Sequence, residues 1–273
     1  MKIWLDGTLQ DLEAARVSVF DHGLTVGDGI FETVKSVDGK PFALTRHLDR
    51  LARSARGLGL PEPDLDEVRR ACDAVIEANP MPLGRLRITY TGGLSPLGSD
   101  RGEQGPTLVV ALGEAARRPD STATVTVPWT RNERGALTGL KTTSYAENVV
   151  ALARAREQGA SEALFANTVG QLCEGTGSNV FVVLDGEIHT PPVASGCLAG
   201  ITRALTVEWT GAKETDLPLD VLERADEIFL TSTLRDVQGV HRVDARELPG
   251  APGPVTAKAM RVFDERAADD LDP

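Results

Sequence analysis

The first part of the chain alternates short apolar runs with turn residues, a pattern that predicts β-strands joined by tight turns. Residues 30–37 form one such run and end at Asp38-Gly39, which is typical of a hairpin because glycine adopts a positive φ without steric cost. Further apolar runs of this kind lie at residues 3–5, 15–20, 85–91 and 107–112. The N-terminal region is therefore predicted to contain a sheet.

Two helices are predicted among these strands. Apolar residues recur at helical spacing between Leu48 and Ala55, and Gly57 or Gly59 ends that helix. Asp64 is a typical N-cap residue for a second helix over 65–78, because its carboxylate can accept from the free amides of the first turn.

The polar segment 114–121 lacks any apolar period and is interpreted as a linker between two lobes. Beyond it, the pattern predicts strands at residues 122–127, 163–166, 180–184 and 227–231, and helices at residues 146–158, 202–209 and 219–225. The acidic end, residues 267–273, is expected to be frayed. The predicted fold class is α/β (α+β), with a small N-terminal lobe over 1–113 and a larger lobe over 122–273.

Charge and composition narrow the function. The 273 residues include 40 Asp and Glu against 29 Lys and Arg, a formal net charge of -11, which disfavours nucleic acid and anionic membrane surfaces as partners. We identify neither a signal peptide nor an apolar stretch long enough to span a membrane. The three cysteines and four histidines lack metal-ligand spacing, so we predict no metal, reduced thiols and a cytoplasmic protein.

Three features together indicate one chemistry. Lys141 precedes a predicted helix, Glu174 follows an apolar strand, and residues 196–203 open another helix whose free amides can bind an anion. Taken singly, each has an ordinary explanation: a surface lysine, a solvated glutamate in a turn, or a helix capped by Thr202. In combination, a lysine amine, a carboxylate for a pyridine nitrogen and an anion site match the needs of pyridoxal 5'-phosphate.

The chain resembles the class IV aminotransferases, which are pyridoxal-phosphate enzymes of fold type IV. The resemblance extends from residues 21–32 (DHGLTVGDGIFE) to residues 229–233 (FLTST), and so covers nearly the whole chain. It implies a two-lobed fold, a homodimer, and a small-molecule amino donor and keto acid as substrates.

The resemblance also implies roles for single residues. Lys141 would bind the cofactor covalently and act as the catalytic base, and Glu174 would pair with the pyridine nitrogen. Arg50, from an H-x-x-R-L pattern, would contact the cofactor phosphate. Tyr145 would lie near the phenolic oxygen, and Leu198 would pack on the ring. The remaining residues would lie around the phosphate: Gly200, Ile201, Thr202, Ser232 and Thr233.

Substrate preference is less clearly marked. Phe31, Thr33, Arg87 and Thr233 are the candidate substrate-binding residues. Phe31 and Thr33 could instead be hairpin packing residues, and Arg87 could be a strand-surface arginine. We predict a transaminase in which D-amino acids are favoured as donors and primary amines are also considered.

An aminodeoxychorismate lyase that forms 4-aminobenzoate and pyruvate is the alternative. Thr33 lies where the lyases carry a threonine used in proton transfer, which favours the lyase. Thr91 and Leu97, in contrast, stand where the resemblance to lyases and typical D-amino acid transaminases implies arginines, and a substrate with two carboxylates would be expected to need such cations. A non-catalytic cofactor-binding protein is a third hypothesis, which the pair of Lys141 and Glu174 disfavours.

Overall fold

The computed structural model describes residues 1–273, which form two compact units. One unit comprises residues 1–116 together with 140–145 and 271–273, and the other comprises residues 117–139 and 146–270. Lys141 thus belongs to the first unit, although the sequence alone assigned it to the segment 122–273. The lobe boundaries at 113 and 122 stay a prediction.

The first unit is a six-stranded sheet with two helices against one face. Its elements are β1 (Lys2–Leu5), β2 (Thr8–Asp11), α1 (His22–Thr25), β3 (Gly29–Val37), β4 (Lys40–Pro41), α2 (Leu44–Leu58), α3 (Leu65–Ala78), β5 (Leu83–Thr91) and β6 (Thr107–Glu114). The strand order is β2-β1-β6-β5-β3-β4. Alternate residues of β3, such as Ile30 and Val34, pack with leucines and alanines of α2 and α3 in a dry core.

The turn and the helix cap predicted for this unit are confirmed. Val37 pairs with Lys40, so Asp38 and Gly39 form a two-residue turn, and both have a positive φ (48° and 78°). The Asp64 side chain accepts from the amides of Asp66 and Glu67 and begins α3. Both helices therefore begin and end close to where the sequence predicts.

The second unit is a larger mixed sheet. Its elements are β7 (Ser121–Arg131), α4 (Ala146–Glu157), β8 (Glu162–Asn167), β9 (Leu172–Gly175), β10 (Asn179–Leu184), β11 (Glu187–Thr190), a 3-10 turn (Val193–Ser195), α5 (Ile201–Thr210), β12 (Lys213–Glu214), α6 (Val221–Arg224), β13 (Glu227–Ser232), β14 (Asp236–Val243), β15 (Arg246–Glu247) and α7 (Pro254–Asp269). The order β12-β11-β10-β13-β14-β7-β8-β9 puts β10, β13 and β8 inside the sheet, where their side chains are almost fully buried.

Two expectations from the sequence are wrong. The run at residues 15–20 is not a strand, and Val19 in it is 72% exposed. The acidic end is not frayed: α7 continues to Asp269, and the Asp272 carboxylate accepts from the Thr45 amide at 2.8 Å. Since α2 begins after Ala43 without a side-chain cap of its own, this distant carboxylate satisfies an amide that would otherwise be free. No helix of the chain is long and apolar enough to cross a membrane.

Candidate active site

The backbone of Lys141 lies against the start of β3. The amide of Phe31 donates to the Lys141 carbonyl at 2.9 Å, and the amide of Thr143 donates to the Gly29 carbonyl at 2.8 Å. The Lys141 amide in turn donates to the Ser54 hydroxyl of α2 at 3.2 Å. The backbone of the lysine is therefore fixed to β3 and α2.

The Lys141 side chain lies beside an aromatic residue that also contacts an arginine. The Lys141 Nζ atom is 4.4 Å from the centre of the Phe31 ring, and the Arg87 guanidinium carbon is 3.4 Å from it. The Tyr145 ring meets Phe31 edge to face at 5.3 Å. Two cations and a phenol therefore surround one aromatic ring.

Strand pairing explains this arrangement. Thr33 lies opposite Arg87 in the β3–β5 ladder, and Phe31 lies opposite Thr89. Paired residues share a face, so Phe31, Thr33 and Arg87 are on one side of the sheet. Burial lowers the pKa of Arg87 to about 10, so the guanidinium still carries its charge at neutral pH.

The opposite face of β3 carries a buried ion pair. Arg50 donates to Glu32 from Nε and Nη2 at 2.7 and 2.8 Å, and the Nδ1 atom of His47 is 2.7 Å from the same carboxylate. Burial by itself would raise the pKa of Glu32, but Arg50 and His47 outweigh it and hold that pKa well below its ordinary value. Sequence reasoning missed Glu32 and His47 as the groups that orient Arg50.

In the second unit, Glu174 is held from two sides. The amide of Leu198 donates to one carboxylate oxygen at 2.9 Å, and the Nε atom of Arg131 lies 3.1 Å from the other. Arg131 also stacks on the Phe165 ring at 4.0 Å and donates to Glu147 at 2.7 Å. Arg131 was not predicted, since an arginine at the end of β7 carries no local signal.

Helix α5 begins without a side-chain cap. Its N-cap residue is Gly200, so the alternative of a helix capped by Thr202 is wrong. A side chain at position 200 would collide with Asn179, whose amide donates to the Leu198 carbonyl at 2.9 Å. The first turn of α5 consequently presents backbone amides that can bind an anion.

Ser232 and Thr233 lie at the turn between β13 and β14. Ser232 is the last residue of β13, and its carbonyl accepts from the Arg235 amide at 3.1 Å. Both residues are only half-buried, so their hydroxyl groups can reach a bound molecule.

These residues fit pyridoxal 5'-phosphate. The chain offers an amine at Lys141, a half-buried carboxylate at Glu174 and uncapped amides at the start of α5. No group of three or more side chains of the kinds that ligate metals is found.

The comparisons with known proteins agree with this chemistry. The family model for amino-transferase class IV matches residues 29–243. A putative branched-chain-amino-acid aminotransferase from Methanocaldococcus jannaschii is 35% identical over 96% of this chain and 95% of that protein. A bifunctional aminodeoxychorismate lyase / D-amino acid transaminase from Mycobacterium tuberculosis is 31% identical over 92% of this chain and 94% of that protein.

Solved structures agree as well. A hypothetical aminotransferase from Mycobacterium tuberculosis in its PLP-bound form superposes with a TM-score of 0.88 at 27% identity, over 99% of this chain and 100% of that one. The chain belongs to the class IV aminotransferases. It has their mixed α/β fold and is a pyridoxal-phosphate enzyme, so the predictions of family, fold class, enzyme class and cofactor are confirmed.

Proposed function

We propose that the protein is a transaminase that moves an amino group between an amino acid, with D-amino acids favoured, and a 2-keto acid. The observation that carries this proposal is the pair of cations on Phe31, with Lys141 Nζ at 4.4 Å and Arg87 at 3.4 Å from the ring centre. An amine that can exchange protons with a substrate carbon thus lies beside a cation that can bind the substrate carboxylate.

Arg87 is better placed for this role than Arg101. The Arg101 guanidinium donates twice to Asp28, from Nε and Nη2 at 2.7 Å each, and also donates to the carbonyls of Leu58 and Gly59. Its donors are occupied within the protein, whereas the side-chain hydrogen bond of Arg87 is to Thr89 at 3.2 Å.

In the proposed mechanism, the cofactor and the residues of the chain have separate roles. Bound pyridoxal phosphate supplies an electron sink for the bonds at the substrate α-carbon. Lys141 would remove and return the proton at that carbon, and Glu174, oriented by Leu198 and Arg131, would keep the pyridine nitrogen protonated. The first turn of α5, Ser232 and Thr233 would hold the phosphate, and the family resemblance assigns Arg50 to the phosphate as well.

Tyr145 would lie near the phenolic oxygen and Leu198 against the ring. Thr233, like Arg87, would contribute to binding the substrate carboxylate. All these roles extend the family resemblance to particular side chains.

An aminodeoxychorismate lyase is the second candidate. Its support is that Thr33 lies directly across from Arg87, on the face of the sheet that carries Phe31. A hydroxyl there could transfer a proton during pyruvate release. A non-catalytic cofactor-binding protein is the weakest alternative, because cofactor binding alone does not require a carboxylate at the pyridine nitrogen.

We also infer a homodimer in the cytoplasm. Three large apolar side chains are exposed: Val19 (72%), Leu24 (68%) and Leu97 (74%). The amide of Ser95 donates to the Phe20 carbonyl, so the segment that carries Val19 and Leu24 contacts the segment that carries Leu97. An apolar patch of this kind is typical of a protein interface. The three cysteines are free and buried, which fits a reducing compartment.

The visible absorbance of the purified protein with pyridoxal phosphate tests the proposal. Loss of the band of lysine-bound cofactor on addition of D-alanine, and its return with a 2-keto acid, would support transamination with D-amino acids. The same response to L-alanine only would show that the amino donors are L-amino acids. A band stable to both alanines, with pyruvate released from aminodeoxychorismate, would establish the lyase, and Lys141→Ala should abolish either activity.

A further inference from the structure

A buried glutamate outside the predicted site holds two of the segments that form it. Glu162, the first residue of β8, is 2% exposed. One of its oxygens accepts from the Thr176 amide at 2.9 Å and from the Thr176 hydroxyl, and the other accepts from the Ser178 hydroxyl at 2.9 Å. A carboxylate without water needs such donors, because an unpaired buried charge is very costly.

These donors belong to the loop that follows Glu174. Within it, the Gly175 amide donates to the Ser178 carbonyl at 2.8 Å, which closes a tight turn. A Cβ atom at Gly175 would lie 3.0 Å from the Glu162 side chain, so the loop packs directly on this carboxylate. The conformation of the residue next to Glu174 therefore depends on Glu162.

The same carboxylate faces the turn that carries Ser232 and Thr233. The Nη2 atom of Arg235 lies 3.5 Å from Glu162 and donates to the Ser161 carbonyl at 3.0 Å. The Arg235 side chain is 8% exposed, and its backbone amide donates to the Ser232 carbonyl. A buried charge pair thus fixes the turn to the start of β8.

We propose that Glu162 is a positioning residue of the cofactor site, which holds the Glu174 loop and the Ser232–Thr233 turn in the arrangement that binds pyridoxal phosphate. The proposal rests on the proposed cofactor roles of those residues. Glu162 acts through them and need not touch the cofactor itself.

The test compares Glu162→Gln with Glu227→Gln in the full-length protein. Glu227 is a matched control, since it also accepts two hydrogen bonds, from the amides of Val255 and Thr256, but lies at the other end of β13 from Ser232. Both substitutions should lower the melting temperature of the cofactor-free protein. Only Glu162→Gln should weaken pyridoxal phosphate binding, by about tenfold, because charged hydrogen bonds that order the site are lost.

A spectroscopic readout separates positioning from general destabilisation. If Glu174 is displaced, the pyridine nitrogen is less readily protonated, and the altered charge of the ring should shift the pH at which the absorbance of bound cofactor changes by about one unit in Glu162→Gln. Glu227→Gln should keep the wild-type profile. Unchanged affinity and profile in Glu162→Gln, or equal changes in both variants, would overturn the proposal.

If Glu162→Gln does not fold, Ser178→Ala removes one donor while keeping the carboxylate. It should weaken cofactor binding in the same direction, by less, and wild-type affinity in this variant would count against the proposal. A wild-type protein that binds pyridoxal phosphate but does not transaminate would instead contradict the proposed function and leave the affinity comparison valid.

Discussion

Two glutamates of this protein are each paired with an arginine, and their surroundings differ. Glu32, in the first unit, is fully buried, and both its oxygens are bound by Arg50 and His47. The side chains of Glu174 and Arg131, in the second unit, are each 14% exposed. A fully enclosed carboxylate can act only through the side chains and backbone around it, whereas a partly open one can also bind a ligand group. Burial, and not the residue pair, therefore separates an ion pair that positions its neighbours from one that can meet a ligand.

The largest expected effect is on the enclosed pair. Glu32→Gln would leave the Arg50 guanidinium buried without its counter-charge, and the cofactor-free protein should lose about 3–5 kcal/mol of unfolding free energy. Urea denaturation measures this loss. The control Glu62→Gln breaks an exposed pair with Arg56 and should change stability little, so similar losses in the two variants would remove the basis of the comparison.

Substitution of Glu174, the partly exposed carboxylate, should affect turnover more than stability. Glu174→Gln is expected to lower the free energy of unfolding by less than Glu32→Gln does, since the Glu174 pair is partly solvated. Turnover should fall by about 10²–10³-fold, because the charge that we propose keeps the pyridine nitrogen protonated is lost. Steady-state kinetics and denaturation of the same preparation measure both quantities, and a large stability loss with intact turnover would contradict the assignment.

A smaller effect is expected from the partner of Glu174. Arg131→Lys keeps the charge but loses the planar group that stacks on Phe165, so the dissociation constant for pyridoxal phosphate should rise by about tenfold. Equilibrium dialysis measures it. The matched variant Arg134→Lys, at an arginine that is 84% exposed on the following loop, should bind the cofactor like the wild type.

The pH dependence of stability gives the finest distinction. The pKa of Glu32 is lower in the folded protein than its ordinary value of 4.5, so its stabilisation is complete above pH 4.5 and is lost as the pH falls below it. The stability gap between wild type and Glu32→Gln should therefore narrow by about 1.4 kcal/mol per pH unit below that point. A gap that stays constant on acidification would mean that Glu32 does not ionise in the way its contacts require.

Local features that depend on a few neighbouring residues were correctly predicted from the sequence. The Asp38-Gly39 turn, the Asp64 cap and the end of α2 at Gly59 each depend on the conformational preference of one or two residues. Short apolar runs also located the central strands, because the side chains of such strands are buried on both faces of a sheet. Helix α7 was missed; only three of its residues are buried, namely Thr256, Ala259 and Phe263, so its buried face is narrow.

The sequence by itself determined the family and the cofactor, and it predicts the reactive groups, since Lys141, Glu174 and the small residues before α5 are marked by local patterns. Which charges meet was decided only by the tertiary structure. Glu162 and Arg235 are 73 positions apart in the numbering of the chain, and Arg131 and Glu174 are 43 apart, so no local pattern could pair them. Such pairs form because folding removes both charges from water and only a partner at the right place in three dimensions offsets that cost.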